Sequence, residues 1–336
     1  MELLNAIVLL SNYVLVPALA YGSQLALGAL GVTLVYGILR FSHFAHGDVM
    51  ALGTAVVIMT TWGLQGAGIT LGVLLAALLA LPVGIGFTIL YLLAVDRTVY
   101  RFYRKVRAKP MILVMASLGV MFVTNGLTRL LIGPGEQSFA DGERFVISPR
   151  GFRAFTGLDE GLSLRSSQLI TVVVALVAMA VLFWFLNRTR AGKSMRAYSD
   201  NEDLALLSGI NPERVVMITW AIAGVLMVVA GTLYGLDKSY RPFTYFQLLL
   251  PMFAASIVGG LGNPLGAIVG GYVVAFSELG ATYAWRRFAQ YLLPDDWVPD
   301  GLMQILPVDY KFAVTFAILV LVLLFRPTGI FKGKSV

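Results

Sequence analysis

Residues 168–194 read QLITVVVALVAMAVLFWFLNRTRAGKS, an apolar run that closes on Ala-Gly-Lys-Ser. Two folds compete for this stretch. An ATP-binding loop needs Gly-x-x-x-x-Gly-Lys-Ser/Thr between a strand and a helix, so that backbone N–H groups can cradle phosphates. Counting back from Gly192, the first glycine of that pattern falls on Asn187. The preceding nineteen apolar residues match the thickness of a bilayer rather than a short strand. The stretch therefore reads as a membrane span followed by a polar loop, and a nucleotide site on this chain is not supported.

Composition extends that reading to the whole chain. Of 336 residues, 58% are hydrophobic and 13% charged, about half the charged share of a soluble domain; mean hydropathy is +0.81. The opening MELLNAIVLL has no basic segment ahead of its apolar run and is expected to be retained. There is no cysteine, which excludes disulfides and thiolate metal sites. The net charge of +7 is concentrated in short loops beside apolar runs, where it reports topology rather than nucleic-acid binding.

Apolar stretches fall at 18–39, 44–64, 69–95, 111–132, 168–186, 215–236, 248–279 and 312–325. The run 3–16 is short for a span and reads as an interfacial or half-length helix. Region 248–279 is too long for one span and is interrupted by GGLGNPLG, so it predicts two half-helices or a re-entrant turn, returning to its starting side as a re-entrant pair or as two crossings. The expectation is an all-α bundle of about eight spans plus that broken glycine-rich pair, forming one membrane domain over 1–336. The loop DRTVYRFYRKVRAKP carries six basic residues against Asp96 and is placed inside the cell. Parity then puts 133–167 outside, the loop 188–214 inside, a segment of about 284–310 with Asp295, Asp296 and Asp300 outside, and the basic tail inside.

The inside loop carries helix punctuation. Ser199 and Glu202 have capping-box spacing, Asp200 and Asp203 add negative charge to a first turn, and Gly209 sits where a left-handed terminal residue belongs. Asn211-Pro212 then starts the next helix. The helix between is about two turns long, too short to be stable alone. Its Leu204 and Leu207 share a face, with Ala205 and Ser208 beside it, and must be buried against the protein's own span ends, lipid headgroups or a groove on a partner.

Within the spans, ionisable groups are sparse, and each is a candidate site. His43, His46 and Asp48 lie in FSHFAHGD, at the expected cytoplasmic end of the first span; His-x-x-His-x-Asp is not a usual zinc spacing, and no metal is expected. These residues either line a pathway or gate, or cap a helix break. Gln24 and Asn125 are polar groups that face a pathway or bond between helices. Glu278 is placed near the outer end of the broken region, snorkelling or at a subunit interface. Gly259, Gly260, Gly262, Gly266 and Gly270 read as a smooth packing face or a pathway lining, the last three four apart on one helix. Gly231 and Gly235 repeat that spacing.

Four ordered motifs carry a resemblance. RAYSDNEDLALLSGINPERV resembles the coupling loop of the branched-chain amino-acid ABC permeases, the LivH family, and VYGILRFSHFAHGDVMALG, SIVGGLGNPLGAIVGG and LVLLFRPTGIFKGK are similar to its first span and turn, its glycine segment and its C-terminal ending. The similarity runs from about Tyr21 to the end, with an aromatic-rich basic loop after Val95 and an insertion before the last span as departures. It implies a bacterial inner-membrane permease subunit, not itself an enzyme and needing no cofactor. The implied partners are a second related permease, two cytoplasmic ATPase subunits gripping the capped helix, a periplasmic substrate-binding protein and membrane lipid. Related permeases also carry urea and short amides. An ion-coupled secondary transporter is the competing class, and the scarcity of midplane acids and histidines counts against it.

Overall fold

The computed structural model describes residues 1–68, 73–139, 145–292, 301 and 303–331, with the backbone alone at 73–75. The expected start of the third span at Ile69, the acids Asp295, Asp296 and Asp300, and the tail lysines lie outside the described residues.

The helices follow the apolar stretches. Helix α1 (Glu2–Leu10) runs through one π turn (Ser11–Leu15) into α2 (Val16–Leu39), then come α3 (His46–Gly66), α4 (Val73–Val95), the short α5 (Arg101–Lys105) and α6 (Pro110–Ile132). A two-stranded ribbon, β1 (Phe145–Ile147) with β2 (Leu164–Arg165), brackets α7 (Pro149–Thr156). Next are α8 (Ser166–Arg188), α9 (Arg190–Asp200), α10 (Glu202–Leu207), α11 (Pro212–Asp237), α12 (Pro242–Gly259), α13 (Pro264–Thr282), α14 (Arg286–Gln290) and α15 (Lys311–Phe325). Among the described residues, nine helical segments are long and apolar enough to cross a membrane. The chain is a polytopic helical membrane protein.

Helix α2 is the axis of the bundle, packed against α8, α11, α12 and α13 and buried along almost its whole length. That burial suits a helix apolar on every side. Helix α15 is mostly uncovered, as an outer helix facing lipid or a partner would be.

Two expectations are corrected and one is narrowed. The N-terminal run is not a separate half-helix: it prolongs α2, and Asn5 and Asn12 clasp the loop 159–163. The Asn5 amide donates to Asp159 and its oxygen accepts the Glu160 N–H, while Asn12 does the same with Gly161 and Ser163. Of the alternatives for the glycine-broken region, the helix lengths fit two crossings rather than half-helices: α12 has 18 and α13 19 residues, each about 27–28 Å at 1.5 Å per residue, and only the turn 260–263 is irregular.

The second correction concerns FSHFAHGD. It does not stay at the cytoplasmic end of the first span. After Arg40, which adopts left-handed φ 58, the chain turns back into the bundle. Phe44 N–H donates to the Ser117 hydroxyl inside α6 (3.2 Å), and a Cβ on Gly31 of α2 would come within 2.7 Å of the His46 ring. Gly31 lies eight residues, about 12 Å, before the end of α2 at Leu39. Helix α3 thus starts near mid-height of the bundle. Irregular backbone at that depth is tolerated because it is buried in protein.

Candidate functional site

The loop 188–214 folds as a helical hairpin on the end of the bundle that also holds the turn 260–263. Thr189 caps α9 by accepting the Gly192 N–H (3.0 Å), so Ala-Gly-Lys-Ser is the first turn of a helix rather than a phosphate loop. Gly192 is required for another reason: a Cβ there would stand 2.3 Å from the Phe185 carbonyl.

The capping box expected at Ser199 and Glu202 does not form. Ser199 and Asp200 remain in α9, and the Ser199 hydroxyl donates to the Gly37 carbonyl of α2 (3.0 Å), while Arg40 donates to the Ser199 carbonyl (2.6 Å). Those tertiary bonds carry the helix past the expected cap. Asn201 takes over, its Oδ1 accepting the Leu204 N–H (3.0 Å), an equally good cap chemically. Glu202 instead accepts from the Tyr198 hydroxyl (2.7 Å). Burial and that carboxylate push the Tyr198 hydroxyl above its usual range.

The other end of α10 is as the sequence indicates. Gly209 has φ 80, its N–H bonds the Leu206 carbonyl, and Ile210 N–H bonds the Ala205 carbonyl; this pair of bonds closes the helix. Asn211 caps α11 through the Arg214 N–H. Between fixed ends, α10 turns Ala205 inward (3% exposed) and presents Leu204 (60%) and Leu207 (85%) outward, with Asp203 exposed beside them.

The second constellation is the deep turn. His43, His46 and Asp48 are buried, and Asn125 donates to Asp48 Oδ1 (2.6 Å). His43 is boxed by Trp220 (ring centroids 5.0 Å), Tyr100 (5.7 Å) and His46 (6.3 Å). The structure therefore gathers four of the five predicted interior residues. Gln24 stands apart, on the N-terminal half of α2, with its amide directed to the Leu233 carbonyl. Among the described residues no group of three His, Asp or Glu side chains could hold a metal.

Sequence reasoning missed the floor beneath His43. Asp96 is buried, accepts from both guanidinium nitrogens of Arg104 (2.5 and 2.9 Å) and from Trp220 Nε1 (2.7 Å). Asp96 looked like one acid in a basic loop, because only folding brings Trp220 of α11 to it. Asp96→Ala leaves the half-buried Arg104 and the buried Trp220 indole donor unpaired, which costs about 2–3 kcal/mol. It should lower the midpoint of thermal unfolding in detergent well below that of Asp96→Asn, which keeps an acceptor for Trp220.

The glycines pack backbone against backbone. A Cβ on Gly259 would lie 2.0 Å from the Gly266 carbonyl, and one on Gly270 2.0 Å from that of Ala255. Gly262 is not on the α13 face with Gly266 and Gly270: it has φ 81 and belongs to the turn, with Gly260 at φ 112. The C-terminal residues lie against this turn, Ile330 and Phe331 donating to the Val258 and Gly259 carbonyls. Glu278, expected to snorkel or face a subunit, is instead buried and accepts from the Thr315 hydroxyl of α15.

The chain matches, over residues 14–323, the family described as branched-chain amino acid transport system / permease component. It is 32% identical to the high-affinity branched-chain amino acid transport permease LivH of Escherichia coli strain K12, covering 94% of this chain and 93% of that one. Against the corresponding permease BraD of Pseudomonas aeruginosa it is 28% identical over 96% of each. A shorter match, 33% identical over 32% of this chain and 31% of the other, is to the xylose transport permease XylH of Haemophilus influenzae. No solved structure matches. With nine apolar helices and a family match over most of its length, the chain belongs to the permease components of branched-chain amino acid transport systems, as a multi-pass inner-membrane protein.

Proposed function

We propose that this permease moves branched-chain or related amino acids inward, and that α10 is the element through which a cytoplasmic ATPase subunit drives it. Membership of the family supports a transport subunit that is not itself an enzyme. Three further parts belong to this reading: two ATPase subunits below, a second related permease beside the chain and a periplasmic binding protein above. Branched-chain substrates are favoured over urea or amides because the full-length relatives are named for branched-chain amino acid transport.

One observation carries the coupling role. Leu204 and Leu207 are exposed on a six-residue helix whose two ends are fixed by hydrogen bonds, while its inward Ala205 already packs on the protein. Such a helix fits the helix-in-groove mode of docking. Ser199 ties this hairpin to α2 at Gly37, so a push on α10 reaches the axis of the bundle and, through it, the buried turn at His43, His46, Asp48 and Asn125. In this reading that turn is the inner gate, and Gly259, Gly266 and Gly270 form the rigid packing behind it.

The chain has no cysteine, so Leu207→Cys gives a single reactive thiol. In the assembled transporter it should crosslink to an ATPase subunit and be shielded from cytoplasmic thiol reagents. Labelling from the periplasmic side, or full exposure in the assembled complex, would overturn the coupling assignment.

A further inference from the structure

At the outer end of the bundle, opposite α10, a cavity of about 450 Å³ opens between α2, the β-ribbon, α8 and the end of α11. Its volume lies within the range of small-molecule sites. Both signs of charge meet in it: Arg165 and Lys238 are cationic, Asp237 anionic. Pro17, Tyr13, Phe145 and Pro149 supply an apolar wall.

We propose that this cavity is a substrate site on the permease itself, taking the charged head of an α-amino acid, with its carboxylate at Lys238 and its ammonium at Asp237. The proposal rests on the amino-acid reading above and adds where on this chain the solute is first held.

Two of these charges, Lys238 and Asp237, can take a ligand. Lys238 is exposed, and its ammonium lies 4.6 Å from the Tyr21 ring centre and 5.4 Å from that of Tyr234, over aromatic faces rather than against a carboxylate. Among the described residues neither Lys238 nor Asp237 makes an ion pair within 4.0 Å. Adjacent in sequence at the end of α11, they face a cavity that also holds Arg165. Each is attracted by the other, Asp237 also accepts from Gln24, and Lys238 feels the more distant Glu278; a zwitterion adds a directly paired opposite charge to both, whereas a neutral amide adds neither.

The opposite wall is rigid before a ligand arrives. Ser163 N–H donates to Asn12 Oδ1 (2.8 Å), Asn12 Nδ2 to the Gly161 carbonyl (2.8 Å), and Arg165 N–H to Gln168 Oε1 (3.2 Å). These bonds hold the ribbon end against α1–α2 and keep the cavity open, so binding does not have to order it. The apolar wall then receives a short aliphatic side chain. Beneath it Tyr21 and Gln24 of α2 are buried, the Tyr21 ring lying under the Lys238 ammonium.

The test uses the whole transporter in membrane vesicles with this chain carrying Ser163→Cys, and, as an outer-surface control, Phe155→Cys, which is 91% exposed on α7. Alkylation of the single cysteine by N-ethylmaleimide is followed by mass on this chain. Leucine, without binding protein, should slow labelling at 163 about fivefold at four times its dissociation constant and leave 155 unchanged. Leucinol, lacking the carboxylate, and 4-methylpentanoate, lacking the ammonium, should not protect; Lys238→Gln and Asp237→Asn should each remove the protection. No slowing by leucine, equal slowing by either analogue, or equal slowing at 155 overturns the site. Leucine uptake by the unsubstituted complex with its binding protein separates the two claims. Uptake without protection sinks the cavity alone, and absence of uptake sinks the amino-acid reading.

Discussion

Replacing both Leu204 and Leu207 with Asp is expected to abolish ATP-driven uptake while the permease itself still folds. The helix that carries them is held by contacts the substitutions do not touch: the Asn201 cap, the Gly209 and Ile210 N–H bonds to Leu206 and Ala205, and buried Ala205. Both side chains point outward, Leu207 at 85% exposure, so no core is emptied. On docking, each leucine would contribute about 1.5–3 kcal/mol by leaving water. Two aspartates forfeit that and place charge in an apolar groove, a loss of at least about a hundredfold in affinity. The measurement pairs leucine uptake with co-purification of the ATPase subunits and with the size-exclusion profile of the permease. Retained co-purification with an unchanged profile would show that the motor grips another part of the chain.

How far the sequence reaches depends on whether a feature is local. The spans were legible because each carries its own apolar length, and the left-handed Gly209 and the Asn211-Pro212 start because helix ends are written in neighbouring residues. The cap of α10 was misplaced by two positions, since Ser199 is drawn away by the Gly37 carbonyl, a partner 162 residues distant. FSHFAHGD was legible as polar and unusual but not as deep. Its depth is set by Ser117, Asn125 and Trp220, which come from α6 and α11. The scarcity of midplane ionisable groups inferred from span positions also changes with that depth, because His46 and Asp48 stand near mid-height. The cavity at the end of α11 was not visible at all: Asn12, Ser163, Arg165 and Lys238 are scattered over more than two hundred positions, and only the clasp of the long first helix by the loop 159–163 assembles them.

Leucine at position 270 should prevent the bundle from forming, whereas leucine at position 280 on the same helix should be nearly silent. At Gly270 even a Cβ would lie 2.0 Å from the Ala255 carbonyl oxygen and 3.1 Å from the Gly259 nitrogen, both backbone atoms of α12. No rotamer change relieves a clash with a neighbouring main chain, so α12 and α13 must separate. Separation also undoes the Gly259–Gly266 approach and loosens the seat of Ile330 and Phe331 on Val258 and Gly259. Overpacking a well-filled core costs about 1–3 kcal/mol when side chains can give way, and here the obstacle is rigid and shared by three contacts, so the cost exceeds that range. At Gly280 nothing lies within 4 Å of the added Cβ, and the new side chain only adds apolar surface. Monodisperse yield and unfolding midpoint in detergent decide the matter. A Gly270→Leu chain that elutes and melts like Gly280→Leu would mean that α12 and α13 do not meet through their backbones, and that the glycine segment is left free to line a pathway.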